Sequence, residues 1–344
     1  MHISDFDYEL PEELIAQHPL AGRAVSRMLV VDRANQTWSD SQFALLPDYL
    51  KAGDALVLNN TRVFPARLEG RRVPSGGTVE LLLIREVESN VWEALTRPAR
   101  RLRQGTRVEF NDSRLQAEVV ESLDHGIRLI KFECAQSLDR VIDDLGETPL
   151  PPYIKRDVGG GDDRERYQTV YASKRGAIAA PTAGLHFTSE VLGEIRSRGI
   201  AVAEITLHVG YGTFEPVRVD DISQHRVAPE WSSISEEAAR TINEARFQDG
   251  RVVAVGTTTA RALESSVTSE GQTDARSGFA DLTIVPGYRF RAVDALLTNF
   301  HLPRSSLLML VSAFTGRDLI LDVYRHAVKS GYRFYSYGDC MLIL

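Results

Sequence analysis

An α/β protein is predicted: a large mixed-sheet α/β domain, open and barrel-like, formed by residues 1–64 and 150–344, with a small β-barrel domain inserted at residues 65–149. Three observations predict it. On both flanks, short apolar runs alternate with helical patterns, as in βα units. From Pro65 to about Cys134 the texture changes to short alternating runs joined by Gly, Asn, Asp and Ser turns, with no helical period. A proline-rich return, Pro149-Leu150-Pro151-Pro152-Tyr153, then leads back into α/β pattern, so the middle region reads as an insertion.

In the first segment, Met28–Val31 and Ala55–Leu58 are strand-like, with a helical Phe43–Leu50 pattern between them. Asn59-Asn60-Thr61-Arg62 leaves the second strand and is either a simple turn or one wall of a crevice. Within the insertion, Val79–Ile84, Val91–Thr96, Arg107–Phe110, Leu115–Glu121 and Ile127–Phe132 are the barrel strands. Ser137–Leu145 follows as a helix, capped by Ser137 and ended by Gly146.

The insertion is rich in arginine. Between Arg62 and Arg114 stand eleven arginines and no lysine against seven acids, although the whole chain carries a formal charge of −7. Arg97, Arg100, Arg101 and Arg103 sit together with no acid among them. Such a run is either a solvated face or a phosphate track, and arginine on a β-barrel raises the nucleic-acid reading. Beyond it, Asp157–Arg166, with glycines at 159, 160 and 161, is read as a loop that serves as a lid or a linker.

The stretch Ala177–Phe214 organises the rest. It predicts a strand over 177–180, a loop over 181–187, a helix from Thr188 to about Arg198, a strand over 200–207 and a loop over 208–214. Thr188 or Ser189 is the N-cap, and Gly199 stands just past the end. If the two strands are parallel neighbours, both loops leave carboxyl ends, where open α/β sheets place ligands, and His186 and His208 face one crevice. Gly184, Gly210 and Gly212 allow close backbone approach, and the helix N-terminus offers N–H groups to an anion.

Ser235–Phe247 is then a helix and Arg251–Val255 a strand, after which Gly256-Thr257-Thr258-Thr259 opens a helix through Leu263. Strand, glycine, threonines and helix make an anion-binding geometry, without the P-loop lysine or the full Gly-x-Gly-x-x-Gly of a dinucleotide site. Ala295–Thr298 is a strand that runs into Asn299-Phe300-His301-Leu302-Pro303 and a helix capped near Ser305 or Ser306. The longest apolar run, Leu307–Phe314, is too short to span a bilayer and reads as a buried helix. Arg317–Lys329 is the last helix, and Tyr332–Tyr337 a terminal strand with aromatics on both faces.

Composition narrows the class. At 344 residues, 43% hydrophobic and 25% charged, the chain is ordinary globular material. Cys134 and Cys340 make neither a disulfide framework nor a zinc ligand set, so a reduced cytosol is expected. Met1–Glu13 is acidic and lacks an apolar core, so no secretory signal is expected.

Ten motifs in one order carry a resemblance that spans the chain. They are Gly53-Asp54 with Leu56 to Arg62 and Pro65 to Leu68, Arg97 to Leu102, Pro149 to Ile154, Tyr167 to Ala172, Ala180 to Thr188, Thr206 to Pro216, Gly256 to Glu264, Thr298 to Leu310 and Tyr335 to Asp339. With them the chain resembles the S-adenosylmethionine:tRNA ribosyltransferase-isomerase family of queuosine biosynthesis. One departure is visible: Ala228 stands where the family usually shows a histidine, three residues after His225.

The resemblance implies transfer and isomerisation of the ribosyl portion of S-adenosylmethionine onto 7-aminomethyl-7-deazaguanine at the wobble position of tRNA, giving epoxyqueuosine, adenine and methionine. It implies no cofactor beyond S-adenosylmethionine as substrate, no metal, tRNA as partner, no membrane and a cytoplasmic place of action; a monomer is favoured. Substrate contacts are expected from Asn60, Thr61 and Arg62, from Arg67, Arg97, Arg100 and Arg101, and from Tyr167. Further contacts are expected from Thr182, Gly184, Gly210, Gly212, Thr213, Thr257, Thr258, Arg261, Asn299 and His301. Thr257 to Thr259 and Arg261 are candidates for the methionine carboxylate.

The catalytic expectation rests on two imidazoles. A hydrogen on C5′ beside the positive sulfonium is acidic enough for a base with near-neutral pKa, and the choice lies between His186 and His208. His186 is preferred because it precedes the 188–198 helix, whose positive end keeps an imidazole neutral; His208 then orients the adenine or ribose. Two rival classes stand beside this one. A methyltransferase needs a glycine-rich loop after its first strand, which is missing, and a noncatalytic RNA-binding module leaves the polar loops after five strands without a purpose.

Overall fold

In the computed structural model of the chain, every residue is described apart from 112–113, 156–162 and 215–216 and the side chains at 125, 213 and 214. Nine strands make one mixed sheet in the order Arg276–Ala280, Glu230–Ile234, Ala201–Leu207, Ala55–Asn59, Val252–Val255, Ala295–Asn299, Cys340–Ile343, Arg27–Asp32 and Thr37–Gln42. The middle strands, from Ala201–Leu207 to Ala295–Asn299, run parallel, and antiparallel pairing begins on either side of them.

Within the middle strands the runs 55–58, 252–255 and 295–297 are apolar at every position because they feed two cores at once. Leu56, Leu58, Val253, Val255, Ala295 and Leu297 pack on Val191, Leu192 and Ile195 of the helix Ser189–Ser197. Val57, Val252, Ala254 and Leu296 turn the other way, into the core shared with the helices Glu236–Phe247, Thr257–Ser266, Ser306–Thr315 and Arg317–Lys329. A strand covered on both faces has no polar side to alternate with. Side-chain caps hold three of the helices: Thr188 and Ser305, each one of two expected candidates, and Ser235 accept from the backbone N–H groups of Val191, Leu308 and Ala238.

The insertion is a closed six-stranded barrel of Ile127–Cys134, Val91–Arg97, Thr78–Glu88, Arg67–Val73, Arg107–Phe110 and Leu115–Ser122. Closure removes the sheet edges that a small β-domain would otherwise expose. Leu138, Val141 and Ile142 of the helix Leu138–Leu145 complete its core, together with Phe64 and Ile178 of the large domain. Ser137 occupies the N-cap position of that helix without a side-chain hydrogen bond, contrary to the expected cap. The strand Arg67–Val73 has no readable period because Gly70 fills one of its inward positions, where a Cβ would come 2.6 Å from Val108 Cγ1.

Three expectations are corrected. The run 177–180 is not a strand; Lys174–Ala177 is, and it pairs only with Thr61–Val63, in a separate two-stranded sheet. Its apolar character has another cause, since Ile178 enters the barrel core, Ala179 the helix-covered core, and Ala177 and Ala180 a cluster with Tyr167 and Tyr337. The stretch 177–207 is therefore not a βαβ unit of one sheet. Tyr332–Tyr337 is not a strand either. Tyr332 and Phe334 pack around Phe300 and Tyr324, while the chain turns back so that the Asp339 carboxylate accepts from Arg333 N–H; the terminal strand is Cys340–Ile343. Most of the expected lid or linker at 157–166 lies outside the described residues, whereas Asp163–Arg166 is a short helix.

Candidate active site

Four parallel strands end side by side, and their loops carry most of the polar residues singled out in the sequence. Asn59 acts as a clamp: its amide donates to the Leu207 carbonyl at 2.9 Å and accepts from Leu207 N–H at 3.0 Å and Thr61 N–H at 3.1 Å. Asn60 is engaged likewise, accepting from Thr206 Oγ1 at 2.7 Å and donating to Glu204 at 3.1 Å. Both hold neighbouring strand ends in register, so Asn60 presents little to a substrate. Arg62 is exposed on the strand Thr61–Val63.

At the ends of Val252–Val255 and Ala295–Asn299 lies a narrow crevice of about 50 Å³, lined by Thr182, Thr257, Thr258, Asn299, His301 and Tyr335 among others. Gly256, at φ 93°, turns the chain into the helix Thr257–Ser266, whose first residues, Thr257 and Thr258, line this crevice. Thr182 Oγ1 donates to Asn299 Oδ1 at 3.1 Å, and His301 Nε2 meets Thr298 Oγ1 at 2.9 Å. Burial drives the His301 imidazole down to about 3, so it is neutral throughout the physiological range. Five expected residues thus meet here, in a space far smaller than a nucleoside-sized ligand requires.

His186 is placed beneath this crevice and is buried. Its Nδ1 meets Ser26 Oγ at 2.8 Å, and its Nε2 accepts from the Asn299 amide at 3.3 Å. Desolvation, then the nearby guanidinium groups of Arg333 and Arg23, lower it to about 4. The expected neutrality is present, but burial is its leading cause, and the lone pair on Nε2 is already engaged.

His208 is placed differently. Its loop follows the strand Ala201–Leu207, three strands along the sheet from Asn299, roughly 14 Å at ordinary strand spacing. The two histidines line separate cavities rather than one crevice, because the strand Lys174–Ala177 does not join the main sheet. The Thr61 hydroxyl lies 2.8 Å from His208 Nδ1 and can donate onward to the Lys174 carbonyl at 3.4 Å. With that polarity Nδ1 carries the proton and Nε2 keeps its lone pair. The ring stacks on Trp231 at 5.0 Å and 18°. Gly176 leaves the necessary room, since a Cβ there would lie 2.5 Å from His208 Nε2. Burial lowers this imidazole too, but it is only half-buried.

The cavity that His208 lines holds about 510 Å³ between the barrel, through Ile84, Arg85 and Trp92, and the large domain, through Gly210, Trp231 and Phe279. It shares Ile84 and Gly210 with a second cavity of about 460 Å³, which also reaches Gly212, Arg218, His225 and Ala228. Tyr211 joins that one to a third of about 380 Å³, lined by Arg67, Arg97 and Pro149 to Pro152. Together they form a groove between the two domains, each part of it within the size small-molecule sites take, about 300–1,000 Å³. Gly212 is tight against Ala228, where a Cβ would come 2.7 Å from the alanine Cβ, and His225 Nε2 meets Ser306 Oγ at 2.7 Å. The Thr213 side chain lies outside the described residues.

Other expected residues serve the fold. Arg261 is buried, paired with Glu230 at 2.7 Å, and donates to the carbonyls of Leu282, Ala228 and Ala280. Its guanidinium faces inward because Glu230, which also accepts from Gly210 N–H at 2.9 Å, is buried with it, so it does not reach the crevice as a carboxylate ligand. Tyr167 is wholly buried against Tyr337, and Gly184 makes room for the Tyr171 hydroxyl. Arg97, Arg100 and Arg101 are exposed, at the end of a barrel strand and on the turn Ala99–Arg101; among the described residues no carboxylate pairs with them. Ser26, Gly176, Trp231 and Phe279 were missed, since nothing near them in the chain marks a site. Among the described residues no group of three or more His, Cys, Asp or Glu is placed to hold a metal, and no helix is long and apolar enough to cross a membrane.

A parallel sheet with polar strand ends, faced across a groove by a closed barrel, is the architecture of an α/β enzyme. The chain belongs to the queuosine biosynthesis protein family, whose model matches residues 3–343. It is similar to the crystal structure of S-adenosylmethionine tRNA ribosyltransferase from Thermotoga maritima, with 38% identity over 99% of this chain and 100% of that one and a TM-score of 0.57.

Proposed function

We propose that the protein is an S-adenosylmethionine:tRNA ribosyltransferase-isomerase, moving the ribosyl part of S-adenosylmethionine onto 7-aminomethyl-7-deazaguanine at the wobble position of tRNA and releasing adenine and methionine. The observation that carries this is the end-to-end likeness to the solved S-adenosylmethionine tRNA ribosyltransferase at 38% identity. In this reading the groove takes the cofactor-derived ribose and the target base, and His208 removes the C5′ proton. A half-buried imidazole lining a cavity large enough for ligand suits that step better than His186, which is buried beside the Asn299 amide. The crevice at Thr257 and Thr258 takes an anionic end, the methionine carboxylate, on the helix N-terminus. The test is product identity. With S-adenosylmethionine and tRNA bearing the aminomethyl base, free adenine and methionine are expected; S-adenosylhomocysteine instead would establish a methyltransferase.

Residues 65–149 are the inserted domain in this proposal, and its arginines meet the RNA. Arg97, Arg100 and Arg101 are available to phosphate because they lack carboxylate partners among the described residues. Each neutralised phosphate of a single strand contributes roughly −0.7 to the log–log salt slope. Replacing Arg100 and Arg101 together by Ala should flatten the slope of tRNA binding by about one unit and leave S-adenosylmethionine binding unchanged; an unaltered slope makes the patch a solvated face. Both walls of the groove come from one chain, which supports action as a monomer, and a tRNA substrate is in keeping with action in the cytoplasm.

A further inference from the structure

The two outermost strands at one edge of the large sheet, Arg276–Ala280 and Glu230–Ile234, carry two aromatic side chains that the core does not require. Burial alternates along Glu230–Ile234, and Trp231 takes an outward position, 37% exposed. Directly opposite it on Arg276–Ala280 stands Phe279, 51% exposed. The next outward pair, Ser233 and Ser277, is polar and joined Oγ to Oγ at 2.7 Å, as a solvated sheet face ordinarily is. Large aromatics gain most when covered, so a cross-strand pair held open is a surface awaiting a partner.

What covers it follows from its surroundings. Both rings line the 510 Å³ cavity between the domains, and Trp231 already stacks on His208. The cations of that cavity are paired: Arg85 is bidentate on Glu93, at 2.7 and 2.6 Å, and Arg175 lies against Asp139 and Asp143. The cavity therefore offers flat apolar faces rather than free charge, which suits a nucleobase and not a phosphate. We infer that Trp231 and Phe279 form a stacking platform for an unpaired base of the substrate RNA, seating the anticodon loop so that the target nucleotide lies beside His208. This rests on the ribosyltransferase reading above.

Phe279 makes the cleaner test, because Trp231 also supports the His208 ring. Stacking of one base on one aromatic is worth about 1–3 kcal/mol, so Phe279→Ala should raise KM for tRNA about tenfold, while kcat and KM for S-adenosylmethionine stay within about twofold. Phe279→Tyr should restore the tRNA KM, and because Phe279 is half exposed both variants should unfold at the wild-type denaturant concentration. If the wild type turns over and Phe279→Ala keeps its tRNA KM, the platform is overturned alone. If the wild type itself releases no adenine, the functional reading falls first and the platform with it. A loss of kcat without a change in tRNA KM also overturns it, by placing Phe279 in the chemistry instead.

Discussion

His208→Ala is expected to lower turnover by about 10² to 10⁴, the range a positioned general base contributes, with the affinities for S-adenosylmethionine and tRNA retained. The imidazole is held by contacts on three sides: the Thr61 hydroxyl at Nδ1, the Trp231 ring against its face, and the Gly176 backbone close to its edge. Such support costs nothing at the moment of reaction, and with the Thr61 hydroxyl turned to the Lys174 carbonyl it selects the tautomer that leaves Nε2 basic. His186→Ala should behave otherwise. It empties a buried site and takes the imidazole partner from the Ser26 hydroxyl, while the Asn299 amide keeps the carbonyls of Tyr335 and Asp339, so its main effect is on stability. Single-turnover rates for the two variants separate the cases, and a near-normal rate for His208→Ala would exclude it as the base.

Arg261→Ala is expected to destabilise the fold by about 3–5 kcal/mol, because it leaves Glu230 buried without its counter-charge. Three carbonyls, those of Leu282, Ala228 and Ala280, lose donors at the same time. The loss should show as a lower urea midpoint at an unchanged slope, since the folded state keeps its extent of burial. Removing both charges together, as Glu230→Leu with Arg261→Met, should recover a good part of it. A stable Arg261→Ala with a raised KM for S-adenosylmethionine would instead return Arg261 to the role its place in the motif first suggested.

Much of the fold was legible because the central strands and helices obey local rules. Ala55 to Leu58, Arg251 to Val255 and Ala295 to Thr298 are apolar runs with turn residues behind them, and Thr188, Ser235 and Ser305 mark helix starts that the structure caps with those very side chains. Thr37–Gln42 was invisible since a solvated edge strand has no apolar period, and Arg67–Val73 since its inward position at Gly70 carries no side chain. The run Ala177 to Ala180 misled for a related reason: apolarity reports burial, and a segment threaded between three cores is as apolar as a strand.

The site was legible at the level of loops and not of contacts. Thr182, Thr257, Thr258, Asn299 and His301 do line one crevice, because each follows or faces the end of a parallel strand. Pairing of Lys174–Ala177 with Thr61–Val63 is long-range, and it alone decides that His208 belongs to the groove between domains while His186 stays beneath Asn299. Trp231 and Phe279 could not be found in advance. They become neighbours only through the antiparallel register of two strands some forty residues apart.

The most direct measurement follows deuterium at C5′ of S-adenosylmethionine. In ordinary water with aminomethyl-deazaguanine tRNA, the wild type should wash out or transfer the label, folded His186→Ala should do so as well, and His208→Ala should retain it while still binding both substrates. Label loss at the wild-type rate in His208→Ala, or its disappearance in a folded His186→Ala, would contradict the placing of the chemistry in the groove between the domains.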